Sequence, residues 1–436
     1  MATMTTTTSV KSINSLLPDW SAMGNDLEAF FAELEDLDSR TEYERLKLSS
    51  ISWLSIIENG VFGKTRITVP DGVWAICPIS KFKHEGEESK VLGMKKANVI
   101  IEGTEKEKDC LSKEIEAVGG LLSYCKSNEK GRIKVLPLSP WAFKDLAERA
   151  GIMCEKINIR GITRDKWLVD NFTANEVTLV KRRNKGGDLN KVVSIRGRVY
   201  NGIEQAPHIK GVVDFLVEDL GEATCKEWSI TNECTRLTLN FKDKLEEIEA
   251  MYPTLPKGIM PMIKITTSDI GKNAFTVSAG FNVDGFEMLH KSGTVSCIHD
   301  SKLNIDKLTK EIQKKCFPEF ISIPKKLAEL LSIEVDNPGV AIEEVLDYIK
   351  LEKRDGLKFA AQAIKEQLTL EFAFGRYTAY DIVSSLMTIM SRIKLTKKGD
   401  GSVRELPEAS LSRLNEALSQ AIFCPFETCK STYTIF

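Results

Sequence analysis

Two neighbouring segments of the chain carry the side chains best suited to bind a polyanion. Their basic residues and the aromatic residue that follows are Lys181, Arg182, Arg183, Lys185, Lys191, Arg196, Arg198 and Tyr200. Ammonium and guanidinium groups bind phosphate, and an aromatic ring offers a plane on which a base stacks. On a regular strand Arg196, Arg198 and Tyr200 would share one face, because side chains alternate between faces. These residues therefore predict a surface that follows single-stranded nucleic acid.

Gly197 stands between the two arginines and leaves a second interpretation open. A glycine inside a strand often marks a bulge, and a bulge would send Arg196 and Arg198 in different directions. The same charges would then form a solvated hairpin tip without a ligand. Lys264 and Lys272, on a later pair of strands, are the remaining residues that we expect to contribute to a basic face.

No catalytic motif accompanies the basic residues. The sequence lacks the Gly-x-Ser-x-Gly, His-Glu-x-x-His and dinucleotide-binding glycine patterns. Lys64 and Thr65 resemble the end of a phosphate-binding loop, but Glu58 stands where that loop needs its first glycine. Cys297 and His299 could hold one metal ion, yet no further residues are spaced to complete a set of four ligands. We therefore expect a protein without enzyme activity, cofactor or metal.

Composition limits the remaining classes. The chain has 436 residues, of which 42% are hydrophobic and 28% charged, and these are ordinary values for a globular protein. Its length predicts two or three domains. The formal net charge is -2, so no field of the whole molecule attracts nucleic acid or membrane, and a polyanion site must come from local clustering.

The cysteines and the apolar patterning predict a cytoplasmic protein. Ten cysteines are scattered without a dense spacing pattern, which favours reduced thiols. The N-terminal segment has no charged lead followed by an apolar run, so we expect neither a signal peptide nor an anchor. No run of 18 uninterrupted apolar residues predicts a spanning helix, and we expect no membrane partner.

A hairpin with one apolar and one polar face is the clearest structural prediction. Ile263 and Ile265 alternate with polar residues in 262–267, and Phe275, Val277 and Phe281 do the same in 274–283. The link between them contains the Asp, Gly and Asn that turns use. Further strands are predicted at 177–181, 192–199 and within 224–241, with helices at 141–150 and 209–220. The middle of the chain therefore predicts an α+β fold, with a central antiparallel sheet and helices.

Helical periodicity dominates the sequence after residue 301. The predicted helices span 305–315, 325–333, 339–352, 357–372, 379–394 and 408–422, and Thr378 with Asp381 matches the looser form of a capping box. We divide the chain into a flexible tail (1–21), an N-terminal helix with a small strand-rich domain (22–130), a central α+β domain (131–300) and a mainly helical C-terminal region (301–436).

An acidic amphipathic helix is predicted near the N-terminus. Leu27, Phe30, Phe31, Leu34 and Leu37 recur at helical spacing and acidic residues fill the other face. The apolar stripe either packs on its own domain or docks on a neighbouring subunit. The second interpretation predicts self-association through residues 22–45 and the helical tail.

The order of elements resembles that of a family of phage/plasmid-like proteins that carry a domain of unknown function. The parallels lie at 141–150, at 196–200 with its Arg-x-Tyr, at 209–220 and at the Thr267-Ser268-Asp269-Ile270-Gly271 turn, so the resemblance covers about residues 136–423. The chain departs from the family at Thr267, where an Asn is usual, and lacks the Cys-x-Asn-Gly that follows the second strand. The layout is also similar to that of single-strand annealing recombinases of the RecT and Red-beta kind, which implies single-stranded DNA binding by oligomers.

Two hypotheses follow from the residues and the resemblance. In the first, the protein is a non-catalytic, oligomeric protein of phage or mobile-element origin that binds or anneals single-stranded DNA in the cytoplasm of a bacterial host. In the second, it is a phage structural or assembly protein, such as a virion or shell component, whose sheet and helices serve subunit contacts only.

Overall fold

The computed structural model describes most of the middle and C-terminal parts of the chain and shorter pieces of the N-terminal part. The described residues are 20–57, 60–62, 65–67, 74–78, 82–85, 88–91, 98–99, 115, 118–125, 133–152, 162–185, 190–283, 285–299, 304–350, 358–372, 376–392, 395–397, 403–405 and 415–426. The phosphate-loop-like Lys64 and its neighbour Glu58 lie outside them, as does most of the predicted tail.

Strands and helices alternate through the described part of the chain. The N-terminal elements are β1 (Ser21–Gly24), α1 (Leu27–Arg40), β2 (Thr41–Lys47), β3 (Ile51–Ile57), β4 (Gly60–Phe62), β5 (Thr65–Ile67), β6 (Trp74–Pro78), β7 (Phe82–Glu85), β8 (Glu88–Val91), β9 (Asn98–Val99), β10 (Gly120–Cys125) and β11 (Ile133–Leu136). The middle elements are α2 (Pro140–Arg149), α3 (Ile162–Asp170), β12 (Glu176–Arg183), β13 (Asn190–Gly197), α4 (Gln205–Leu220), β14 (Ala223–Thr231), β15 (Thr235–Phe241), α5 (Lys242–Met251), β16 (Ile259–Thr267), β17 (Phe275–Val283) and β18 (Phe286–Cys297). The C-terminal elements are α6 (Ile305–Lys315), α7 (Glu319–Leu331), β19 (Glu334–Val335), α8 (Pro338–Ile349), α9 (Lys358–Glu371), β20 (Tyr377–Thr378), α10 (Ala379–Arg392), β21 (Leu395–Lys397) and β22 (Val403–Glu405).

The largest sheet is antiparallel and has six strands in the order β1-β14-β15-β16-β17-β18. Its central hairpin, β16 and β17, is the one that the alternating sequence predicts. Ile263 and Val277 are fully buried on the apolar face, whereas Lys264 and Thr266 lie on the polar face and are partly exposed. Gly271 in the connecting turn has a φ of 69°, which explains the glycine there. The α+β fold class is confirmed.

Helices cover the apolar face of this sheet. The core between the two layers contains Phe30 of α1, Leu216 of α4, Phe281 of β17, Phe320 of α7 and Leu386 of α10. Full burial of each such side chain stabilises the fold by about 1.5–3 kcal/mol. The C-terminal helices therefore share one core with the central sheet.

The acidic helix α1 packs on its own chain. Phe30, Leu34 and Leu37 are buried in the same core, and Phe30 contacts the ring of Trp228 on β14 at 5.7 Å between centroids. The apolar stripe is therefore covered from within, and self-association through this segment stays a prediction. Trp20 is buried as well and β1 pairs with β14, so residues 20 and 21, which the sequence placed in the predicted tail, belong to the fold.

Two smaller sheets adjoin the central layer. One has the order β13-β12-β2 and the other the order β11-β10-β3-β6-β9, and a bridge between Leu138 and Val192 links them. The boundary predicted near residue 130 falls between β10 and β11, which pair with each other. Because β1, α1 and β2 pack or pair with later elements, the N-terminal segments contribute directly to the central fold.

Local signals place several helix ends. Ser139 Oγ accepts a hydrogen bond from Ala142 N at the start of α2, Pro140 occupies the first turn, and Gly151 follows the helix with a φ of 73°. At α10 the capping box is confirmed, since Asp381 N donates to Thr378 Oγ1 and Thr378 N donates to Asp381 Oδ2. No helix in the described part of the chain is both long enough and apolar enough to span a bilayer.

Candidate nucleic-acid interface

The predicted basic strand pair forms, but β12 directs its charges into the protein. Lys181 is buried, and its Nζ lies 2.7 Å from Glu42 Oε2 and 2.8 Å from Glu44 Oε2 on β2. Burial alone lowers the pKa of Lys181, but hydrogen bonds to the two carboxylates outweigh it and hold the pKa above its ordinary value. The charge of Lys181 is therefore satisfied inside the chain and is not presented to a ligand.

Arg182 is the most deeply buried charge of the group. Its guanidinium forms an ion pair with Asp269, which is also buried, and donates to Asn232 Oδ1 at 3.3 Å. Lys191 on the partner strand is buried too. Because a buried cation needs a compensating partner, the pair of Arg182 with Asp269 holds the three-stranded sheet against the β16–β17 turn.

Residues at the end of β12 meet the acidic helix α1. Lys185 Nζ lies 3.1 Å from Glu33 Oε2 and 3.6 Å from Asp36 Oδ2, and Arg183 donates to the backbone oxygen of Ser39 at 3.1 Å. Acidic residues of α1, predicted on the face opposite its apolar stripe, thus neutralise part of the basic run. Lys264 is neutralised in the same way by Glu287.

Arg196, Arg198 and Tyr200 do not share an exposed face. Strand β13 ends at Gly197, so Arg198 lies in the following turn, and the bulge of this ladder falls at Val180 and Lys181 instead. Arg196 is 16% exposed and lies 3.5 Å from Asp145 Oδ2, whereas Arg198 is 79% exposed and pairs with Glu176 at 3.3 Å. The predicted stripe of two guanidiniums and a phenol is wrong because the strand stops between them.

Tyr200 belongs to a closed polar cluster rather than to a stacking surface. Its hydroxyl donates to the backbone oxygen of Asp269, and its ring stacks on His299 with centroids 5.9 Å apart. His299 Nε2 lies 2.9 Å from Thr267 Oγ1. Burial raises the pKa of Tyr200 and lowers that of His299, so both rings stay neutral near pH 7. Among the residues that the structure describes, no group of three or more His, Cys, Asp or Glu side chains is placed to hold a metal ion.

The structure assembles a different basic and aromatic surface beside this cluster. The ammonium of Lys272 lies 4.1 Å from the centroid of the Trp141 ring, and that of Lys144 lies 5.2 Å from it. Both are cation–π distances. We call Trp141, Lys144, Arg149, Arg196 and Lys272 the α2 patch, since helix α2 supplies the first three.

Two glycines lie beside the arginines of the α2 patch. A Cβ atom at Gly271 would lie 2.9 Å from Arg196 Nε, so only a residue without a side chain leaves room for that arginine. A Cβ atom at Gly197 would lie 3.4 Å from one terminal nitrogen of Arg149. The end of β13, the β16–β17 turn and α2 therefore meet at one surface.

Charge in the α2 patch is only partly compensated. Arg196 shares the buried Asp145 with Ser194, and Lys272 pairs with Glu233. Burial raises the pKa of Asp145 although Ser194 and Arg196 act against it. Arg149 is exposed and forms no ion pair with any residue that the structure describes.

Of the α2 patch, the sequence predicted Arg196 and Lys272 as binding residues but not Trp141, Lys144 or Arg149. One local signal was available, because Trp141 and Lys144 stand three residues apart and so are neighbours on a helix surface. The approach of Lys272 and Arg196 to that helix depends on tertiary packing.

Comparison of the chain with protein-family models, with curated proteins and with solved structures finds no match.

Proposed function

We propose that the protein is a non-catalytic protein that binds single-stranded DNA through the α2 patch. The observation that supports this proposal is the Trp141 ring with two ammonium groups within 5.2 Å of its centroid. An aromatic plane among cations is the combination that single-stranded nucleic acids require, since bases stack and phosphates pair with the charges. The phage or mobile-element origin rests on the resemblance in layout alone.

Binding on this surface requires a small rearrangement. Lys272 covers the Trp141 ring in the free protein, so a base that stacks there displaces the ammonium, which then pairs with a neighbouring phosphate. Lys144 and Arg149 supply further charges at the same surface. With two or three phosphates neutralised, the logarithm of affinity should fall with that of salt with a slope of about -1.4 to -2.1, since each phosphate contributes roughly -0.7 on a single strand.

Anisotropy of a labelled oligothymidine tests the proposal. Trp141→Leu removes the stacking plane and should weaken binding about 5- to 150-fold, because one stacked base is worth about 1–3 kcal/mol. Lys144→Gln with Arg149→Gln should weaken binding and reduce the magnitude of the salt slope by about 1.4, roughly 0.7 for each lost phosphate contact. Lys257→Gln with Lys325→Gln, two exposed lysines outside both the α2 patch and helix α6, is the matched control for loss of two positive charges. Equal weakening by the control pair, or no effect of Trp141→Leu, would contradict the proposal.

The ion pairs of the basic side chains in and just after β12 favour a second candidate function. Lys181, Arg182 and Lys185 all pair with carboxylates of the same chain. Charges that are neutralised internally are not offered to a nucleic acid, and this is expected of a protein whose sheets serve structural contacts only. If micromolar protein shows no binding to single strands at about 50 mM salt, where phosphate contacts are strong, the assembly function becomes the better proposal. Sedimentation then decides it, because an assembly protein forms large particles without nucleic acid.

A further inference from the structure

Helices α4 and α6 lie side by side and run in the same direction. Gly211 lies beside the first residue of α6, since a Cβ there would be 3.6 Å from Ile305 Cγ2, an ordinary contact distance. Two turns further on, Gln313 Nε2 donates to Asp219 Oδ2 at 2.8 Å. Both contacts join residues 94 positions apart in the chain. Each residue of α4 therefore lies level with the residue of α6 that is 94 positions later.

The outward faces of this helix pair carry opposite charges. On α4 the exposed side chains Asp214 and Glu218 stand four residues apart and so lie on one stripe. On α6 the exposed side chains Lys307, Lys310 and Lys314 form another stripe, opposite the buried Leu308 and Ile312.

None of these five charged groups forms an ion pair with a described residue of its own chain, although other helices of the fold do pair their charges. Lys365 and Glu343 on α9 and α8, for example, lie 2.9 Å apart. The two outward stripes are therefore available to a partner.

We propose that the α4–α6 face binds the same face of a second copy of this chain around a twofold axis parallel to the two helices. Rotation about such an axis places α4 of one copy over α6 of the other and keeps the helices parallel. Asp214, level with Leu308, then meets the space between Lys307 and Lys310 of the other copy. Each acid thus meets lysines in both halves of the interface.

A second pair of charges fits the same arrangement. Lys210 at the start of α4 and Asp306 at the start of α6 are both exposed, and they lie at nearly the same level. The twofold rotation places α4 over α6, so these two opposite charges stand at the same end of the interface on facing helices. A face that carries both signs in matching order suits a copy of itself better than a nucleic acid, whose phosphates would be repelled by the stripe on α4.

Charge-reversed variants test the dimer by sedimentation in low salt. Variant A carries Lys310→Glu with Lys314→Glu, and variant B carries Asp214→Lys with Glu218→Lys. The wild-type protein should dimerise and dissociate at high salt, since exposed pairs are screened. Each variant alone should bind itself at least about tenfold more weakly, the equivalent of 1.4 kcal/mol. An equimolar mixture should restore the dimer, because both halves of the A–B interface again join opposite charges.

Other results would overturn the proposal. A wild-type protein that is monomeric in low salt, or a variant that still dimerises fully, shows that this face is not an interface. Circular dichroism of each variant establishes that it is folded, and folded variants that fail to dimerise when mixed contradict the twofold geometry. Trp141→Leu should leave the dimer intact, so the outcome does not depend on DNA binding.

Discussion

Arg182 of β12 and Asp269 of the β16–β17 turn form an ion pair in which both side chains are buried. The pair joins the three-stranded sheet to the six-stranded sheet across 87 residues of sequence. Tyr200 strengthens the junction by donating its hydroxyl to the backbone of Asp269. The side chain that the sequence offered as a phosphate ligand therefore holds two sheets together.

Removal of one partner of this pair should destabilise the protein strongly. Arg182→Met or Asp269→Asn should each lower the free energy of unfolding by about 3–5 kcal/mol, because the remaining group is buried without compensation. The double variant should lose clearly less than the sum of the two losses. Urea unfolding of the four proteins measures this coupling, and additive losses would show that the pair does not act as a unit.

Asp38 should make stability fall as the pH rises from about 4 to about 6. Burial raises the pKa of Asp38 from 3.8 to about 6, although backbone N–H groups of Ala206 and Gln205 favour its charged form. The folded state thus holds a proton that the unfolded chain has already released, and this contribution is fully lost above about pH 6. Asp38→Asn should remove that slope and still accept the bond from Ala206 N, which is 2.7 Å long.

Unfolding measured in urea at several pH values between 3.5 and 7 checks the role of Asp38. Glu35→Gln removes one exposed charge from the same helix and is the matched control. An unchanged slope in Asp38→Asn would assign the pH dependence to another group.

His290 should act in the opposite direction. Burial lowers the pKa of His290 from 6.5 to about 4, while a hydrogen bond with the backbone of Ser419 opposes the shift. Below about pH 6.5 the unfolded chain takes up a proton that the folded state refuses, so stability is lost as the pH falls to about 4. His290→Phe keeps a ring against Phe423, whose centroid is 4.8 Å away, and should flatten this part of the profile. A steep acid limb that survives the substitution would exclude His290 as its source.

Gly280→Ala should destabilise the hairpin of β17 and β18. A Cβ at this position would collide with the backbone oxygen of Met288, which cannot rotate away as a side chain would. Overpacking of this kind costs about 1–3 kcal/mol. Gly339→Ala is the control, because its Cβ would lie 3.4 Å from Asn337 Oδ1 in the first turn of α8 and should leave stability equal or up to about 1 kcal/mol higher. Thermal unfolding distinguishes the two, and equal effects would contradict the steric argument.

Arg196 and Arg198 should differ in their effects on stability. Arg196→Ala leaves the buried Asp145 with Ser194 and a backbone N–H but without its cation, and should cost about 1–3 kcal/mol. Arg198→Ala removes an exposed pair and should change stability by less than about 1 kcal/mol. Urea unfolding at pH 7 compares the two proteins. Equal losses would mean that burial of the guanidinium is not the deciding factor.

Much of the fold could be predicted because its signals are local. Alternation of apolar and polar residues locates β16 and β17, and apolar residues at helical spacing locate the C-terminal helices, with α6 matching its predicted bounds of 305–315. Thr378 and Asp381 mark a helix start within four residues of sequence. These patterns depend on backbone geometry alone, so a single chain reveals them.

The sequence by itself determined that basic side chains cluster around β12 and β13, and tertiary structure decided what they do. Lys181 meets Glu42 from 139 residues away, and Lys272 meets Trp141 on a helix that precedes it by more than a hundred residues. A list of charges gives their number and order, whereas the energy of each charge depends on its burial and on the partner within a few ångströms. Packing alone brings those partners together, and so it turned an expected binding face into a structural junction and formed the α2 patch beside it.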